Sequence, residues 1–341
     1  MGVITRVAGT IGTAGSSGDD GPAISAQLNS PAAVAVTADG GFLIVDLLNH
    51  VVRKVSTGGV ITRVAGTPGT AGSTGDDGPA TDAQLNNPMA VAVTADGGFL
   101  IADSYNHVVR KVSASGVITR VAGNGTVGST GDDGPATDAQ FYHPRGLAVM
   151  PDGGFLVADT FNMVVRKVSA AGVITRVAGT TGSMGNTGDD GPASEAQLNY
   201  PYRVAVTADG GFLIADTFNV VVRRVSASGV ITRVAGNGTA GSGGDDGPAT
   251  DAQLNVPYGV AGMADGGFLV ADTYNRVVRK VSAAGVITRV AGTGTAGSGG
   301  DDGPATDAQL NYPFAVAVAA DGGFLIADTN NQVVRKVEPT G

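Results

Sequence analysis

The hexapeptide Ile-Thr-Arg-Val-Ala-Gly begins at Ile4, Ile61, Ile118, Ile174, Ile231 and Ile287, so one unit of 56 or 57 residues is written six times and fills the 341-residue chain. A fixed period of this length means that each unit is one supersecondary element, unable to bury its apolar faces alone and obliged to stack on its neighbours. Each copy carries, in order, a Gly-rich stretch ending Asp-Asp-Gly-Pro-Ala, a Val-Ala-Val segment, Asp-Gly-Gly-Phe-Leu-Ile-Ala-Asp and Val-Val-Arg-Lys-Val, with small variations. Short apolar β-branched runs separated by Gly, Asp and Asn read as strands and turns. In the second copy the strands are expected at 90–94, 99–102, 108–113 and 117–122.

Four antiparallel strands in each of six copies point to an all-β, six-bladed β-propeller, a single domain over residues 1–341, because sheets stacked around an axis cover both faces of one another. The chain opens on a fourth strand, residues 2–9, and stops after a third strand, residues 333–337. The N-terminal strand therefore completes the C-terminal blade and leaves no open edge. Two connections per blade are tight hairpins, Ala-Asp-Gly-Gly and Ser-Ala-Ser-Gly or variants. The other two share the opposite face, one of them a long loop spanning 123–144 in one copy. Within it, Asp-Gly-Pro-Ala-Thr-Asp-Ala-Gln-Leu is expected to form a short helical turn with Pro at its first position, anchored by Leu or once by Phe141.

Composition removes several classes of function. There is no Cys and there are only three His, so disulfides and thiolate chemistry are excluded and neither metal nor cofactor is expected. A net charge of −9 argues against nucleic acid, whose binding needs clustered positive charge. The longest apolar run, 314–320, is far short of the roughly 18 residues of a membrane helix, so no membrane is expected either. The start of the chain has neither a charged n-region nor an apolar h-region, which leaves both a secreted and a cytoplasmic location open. The Gly-rich loops lack the Lys of a phosphate-binding loop. Asp76 and Asp77 lack the spaced ligands of a calcium loop and are read as Asx-turn and helix-cap residues.

The run Asp-Ser-Tyr-Asn-His-Val-Val-Arg-Lys-Val after Gly-Phe-Leu-Ile-Ala resembles the NHL repeat, and Gly-Asp-Asp-Gly-Pro-Ala-Thr-Asp-Ala-Gln-Leu-Asn-Asn-Pro resembles its long-loop bacterial form. The resemblance covers all six copies, and the near-identity of the copies fits a recently amplified or engineered version. It implies a propeller, but for function it spans protein-binding, RNA-binding and zinc-dependent catalytic modules. The second Asp of Asp-Asp-Gly-Pro departs from the family, which usually has Gly there.

What recurs six times is read as structure. Asp103 and Asn106 are expected to hold the turn after the second strand with their side chains, and Arg110, Lys111 and Arg120 to lie on solvated strand faces. Function is sought where the copies differ. All seven Tyr, all three His and the three non-recurrent Arg lie at the entry to the first strand or in the turn between the second and third. At the entry, Ala32, Met89, Arg145, Tyr202, Tyr258 and Phe314 would ring the mouth of the central channel, with His143 and Arg203 beside them. In the turn the candidates are Tyr105, Phe161, Phe218, Tyr274 and Arg276.

These residue types suit a non-enzymatic binding or interaction module. Arg forks onto a carboxylate or phosphate while aromatic faces carry an apolar or sugar-like body, so the expected partner is a small molecule, a glycan, or a protein or peptide at the loop face. No catalytic residue is assigned. Two alternatives stay open, a symmetric scaffold whose variable residues reflect drift, and a small-molecule lyase or hydrolase using the central pocket. The consistency of the copies predicts a heat-resistant monomer.

Overall fold

The computed structural model describes residues 2–339. Each copy folds into a blade of antiparallel strands that follow one another outward from the axis. In the second blade they are Pro88–Val93, Phe99–Asp103, Val108–Val112 and Ile118–Ala122. The first strand starts two residues earlier than expected, since Pro88 pairs with Asp103 ahead of a bulge, where its missing N–H costs no ladder bond. The inner strands Pro31–Val36, Pro88–Val93, Pro144–Val149, Pro201–Val206, Pro257–Gly262 and Pro313–Val318 ring the axis. Phe99–Asp103 and its five equivalents are buried at every position, as a continuous apolar run requires when sheets cover it on both sides.

The ring closes as the chain ends imply. Val3–Ala8 lies antiparallel to Val333–Val337, with Ile4 opposite Val337 and Arg6 opposite Arg335. Each blade also has a fifth, outer element that the sequence reading did not anticipate. The Gly-Pro of the long loop pairs with the start of the fourth strand, Gly21 with Ile61 and Pro22 with Val60, and Pro135 bridges to Val173 in the third blade. A proline on the outside of an exposed strand blunts its capacity to pair further. The expected helical turn follows, Ala136–Asp138 in the third blade, but Pro135 precedes it rather than opening it. Leu28, Leu85, Phe141, Leu198, Leu254 and Leu310 anchor the six loops, all fully buried.

The same loop corrects the placement of Arg110. Rather than facing solvent, Arg110 is 1% exposed because the loop folds across its strand face. Its guanidinium donates to Asp76 Oδ1 at 2.9 Å, to the Gln84 carbonyl at 2.7 Å and to the Thr74 carbonyl at 3.2 Å. It also lies 3.4 Å from Asp103 Oδ2. Asp76 is thus an arginine partner, not a helix cap. Its neighbour Asp77 adopts a left-handed backbone with φ 63°, and its five equivalents do the same. Lys111 reaches Asp96 of the inner hairpin at 2.5 Å.

Candidate functional site

The loop face is held up by the recurrent Asp and Asn. Asp103 Oδ1 accepts the backbone N–H of Asn86 at 2.7 Å, Oδ2 accepts from Asn106 Nδ2 at 2.8 Å, and Asn106 also donates to the Gly72 carbonyl at 2.6 Å. One carboxylate thereby ties the entry of the inner strand to the turn after the second strand, which explains why both residues recur. Burial, set against these hydrogen bonds and Arg110, pushes the Asp103 carboxyl up to about 6. The turn leaves Tyr105 and His107 on the face, next to the entry of the following blade.

At the mouth of the channel the expected ring forms, and it is packed shut by its own side chains. Ring centroids of Tyr202 and Tyr258 are 4.4 Å apart and those of Tyr258 and Phe314 4.6 Å. Met89, Tyr202, Tyr258 and Phe314 are all buried. Arg203 lies deeper still, at a position where the other blades have Ala33, Ala90, Gly146, Gly259 and Ala315. These small residues leave the axis clear, and the Arg203 side chain crosses it to donate to the carbonyls of Arg145, Ala32 at 2.8 Å and Met89 at 2.6 Å. It is a spoke joining four blades, rather than a group open to a ligand.

Arg145 is placed differently. Its guanidinium lies 4.7 Å from the Tyr202 ring centre and 4.8 Å from that of Phe161. It has no ion-pair or hydrogen-bond partner among the described residues, and its Nε is enclosed without one. Burial holds it below the usual arginine range, the phenols of Tyr105, Tyr258 and Tyr200 partly offsetting this. Two guanidiniums with no carboxylate between them make this the positive centre of an acidic molecule.

Around Arg145 runs an arc of rings. Tyr105 to His143 is 4.5 Å, His143 to Phe161 5.0 Å, Phe161 to Tyr200 5.1 Å and Tyr200 to Phe218 5.1 Å. A second stretch links Tyr274 to Tyr312 at 5.5 Å and Tyr312 to Tyr258 at 5.9 Å. Burial, then the hydroxyls of Tyr258 and Tyr274, push the Tyr312 phenol above the usual range. Tyr105, Tyr142, Phe218 and Tyr274 are the exposed members. Arg276 stands on the rim with a left-handed backbone and joins none of these ring contacts. Tyr142, Tyr200 and Tyr312, not among the sequence candidates, belong to the arc. Their signal lay in the two residues before Pro, where Tyr142 replaces the recurrent Asn and Tyr200 and Tyr312 occupy the position that varies from copy to copy.

An open recess of about 940 Å³ lies on the other face, at the far end of the axis, lined by Val36, Val93, Val149, Val206 and Val318. Among the described residues no group of three His, Asp or Glu is placed to hold a metal ion. Nor, among these residues, is any helix long and apolar enough to cross a membrane.

A profile of the NHL repeat matches residues 141–167, the stretch that contains Arg145 and Phe161. The β-propeller carries an NHL repeat. Among its relatives, Protein SUPPRESSOR OF QUENCHING 1, chloroplastic, from Arabidopsis thaliana is 28% identical over 79% of this chain and 27% of that protein. NHL repeat-containing protein 2 from Bos taurus is 26% identical over 77% of this chain and 40% of that one. The propeller thus spans well under half of these relatives. A crystal structure of an auxiliary nutrient binding protein from Bacteroides ovatus superposes with a TM-score of 0.71 at 16% identity, over 99% of this chain and 77% of that one. In this propeller the second Asp of Asp-Asp-Gly-Pro keeps the left-handed backbone that Gly adopts freely, and Asp is among the residues that tolerate it.

Proposed function

We propose that the propeller is a binding module whose loop face takes a small anionic molecule with a flat apolar or sugar-like body. The observation that carries this is Arg145, clamped between Phe161 and Tyr202 with no carboxylate to neutralise it. A charge so held is costly unless something compensates it, and an anion docking on the open end of the guanidinium does so. The arc from Tyr105 to Phe218 offers ring faces for the body of the ligand. The likeness to a nutrient-binding protein fits this reading.

The test is a thermal-shift screen of aromatic and sugar carboxylates against the intact chain and Arg145→Met, which keeps the packing between the rings while removing the charge. At about 100 times the dissociation constant, a hit gains about 2.7 kcal/mol of stability in the parent protein. Arg145→Met is expected to lose that gain while melting within a few degrees of the parent. A hit that Arg145→Met retains in full places the site elsewhere.

A further inference from the structure

The same centre contains a second source of charge, one that titrates. His143 stands 4.7 Å from His107 and 5.0 Å from Phe161, the ring that also carries Arg145. Its Nδ1 lies 3.3 Å from the Ser104 carbonyl, which makes Nδ1 the protonated nitrogen and leaves Nε2 as the basic one. His107 is arranged the opposite way. Its Nδ1 accepts the backbone N–H of His143 at 3.3 Å, so adding a proton there breaks an existing bond. His143 is therefore the first of the pair to ionise.

Neither of the buried carboxylates beneath this seam, Asp103 and Asp159, is free to balance that charge. Asp103, on the strand before the Tyr105 turn, accepts from Asn86, Asn106 and Arg110. Asp159, on the strand facing the entry to the third blade, accepts from the Tyr142 N–H at 2.8 Å, from Asn162 and from Arg166. The other ionisable neighbours are Tyr105, Tyr142 and Arg145. Burial holds both imidazoles below their ordinary range, and for His143 the Arg145 charge adds to this.

We propose that the seam between the second and third blades is a receptor for a small dianion, with Arg145 as its permanent charge and His143, backed by His107, as the charge acquired on protonation. This rests on the anion-binding reading above and specifies the ligand's charge. A dianion compensates both cations, so its binding takes up a proton and tightens as pH falls through the histidine range. A monoanion is satisfied by Arg145 and gains less.

Benzene-1,3-disulfonate and benzenesulfonate test this, because their charges stay constant across the histidine range. Titration calorimetry at constant ionic strength is expected to show the disulfonate binding about tenfold tighter near pH 5 than near pH 8, one pKa unit of coupling. The monosulfonate is expected to change much less. His143→Gln flattens the disulfonate slope. A slope that is flat in the parent, or unchanged in folded His143→Gln, overturns the dianion proposal, as does binding of the monosulfonate alone. Binding of both that survives Arg145→Met overturns the anion site itself, and is thereby told apart.

Discussion

Ser104 marks a seam that differs from four others. Thr160, Thr217, Thr273 and Thr329 each donate a hydroxyl hydrogen bond to the proline carbonyl that opens the next blade, at 2.8, 2.9, 2.7 and 2.7 Å. The first blade has Leu47 there. Ser104 is fully buried, and its Oγ has no hydrogen-bond partner among the described residues. Its side chain lacks the β-branch that narrows χ1 and holds a Thr hydroxyl on target. Ser104→Thr is therefore expected to raise stability by about 1 kcal/mol through the recovered bond to the Pro144 carbonyl. Urea denaturation measures it, and a loss of stability would mean that the seam has no room for the methyl group. At this scale the sequence told which residues are singular, Arg145, Tyr202 and Arg203 among them. It did not tell their depth, because a position at the mouth of a ring faces a ligand or packs inward according to how large its neighbours are. Only the small residues beside Arg203 betrayed that there was an axis to cross.

The strand that closes the ring makes its own prediction. Val3–Ala8 is the fourth strand of a blade whose other three strands lie more than 300 residues away, so its pairing covers the edge of Val333–Val337. Removing residues 1–9 uncovers that edge, a template for pairing with another chain. The truncated protein is expected to dimerise or aggregate where the full chain does not, as read by light scattering on a sizing column. Elements with a periodic apolar signal were legible from the sequence, to within two residues. The outer Gly-Pro pairing was not, since two residues carry no periodicity. Nor was the burial of Arg110. The alternation of Val-Val-Arg-Lys-Val puts Arg on one strand face, and whether that face is wet depends on a loop returning from the preceding blade.

For the whole molecule, six buried carboxylates dominate the response to pH. Burial pushes Asp159 and Asp216 up to about 7 and Asp46, Asp103, Asp272 and Asp328 up to about 6. A carboxyl raised on folding contributes stability that is complete below its unfolded pKa and disappears as pH rises through its folded value. Three histidines lowered by burial act in the opposite sense over the same window, three groups against six. Below that window the surface Asp residues that Lys partners hold low, Asp39 and Asp96 among them, lose their contribution as they protonate. The melting temperature is thus expected to peak near about pH 5 and to fall toward pH 8 and pH 3. Calorimetry at fixed ionic strength checks it, and a melting point that climbs steadily from pH 5 to pH 8 would contradict the sign.

A ring of six blades has only one axis, so a side chain that lies right across it can come from only one copy. Arg203 is that side chain, and its equivalents are Ala or Gly. Perfect internal identity is therefore incompatible with a single crossing spoke. Six arginines would crowd and repel one another, and a chain rebuilt from the commonest residue at each repeat position would carry Ala and leave the axis hollow. The repeats had to diverge at the one point where all of them meet.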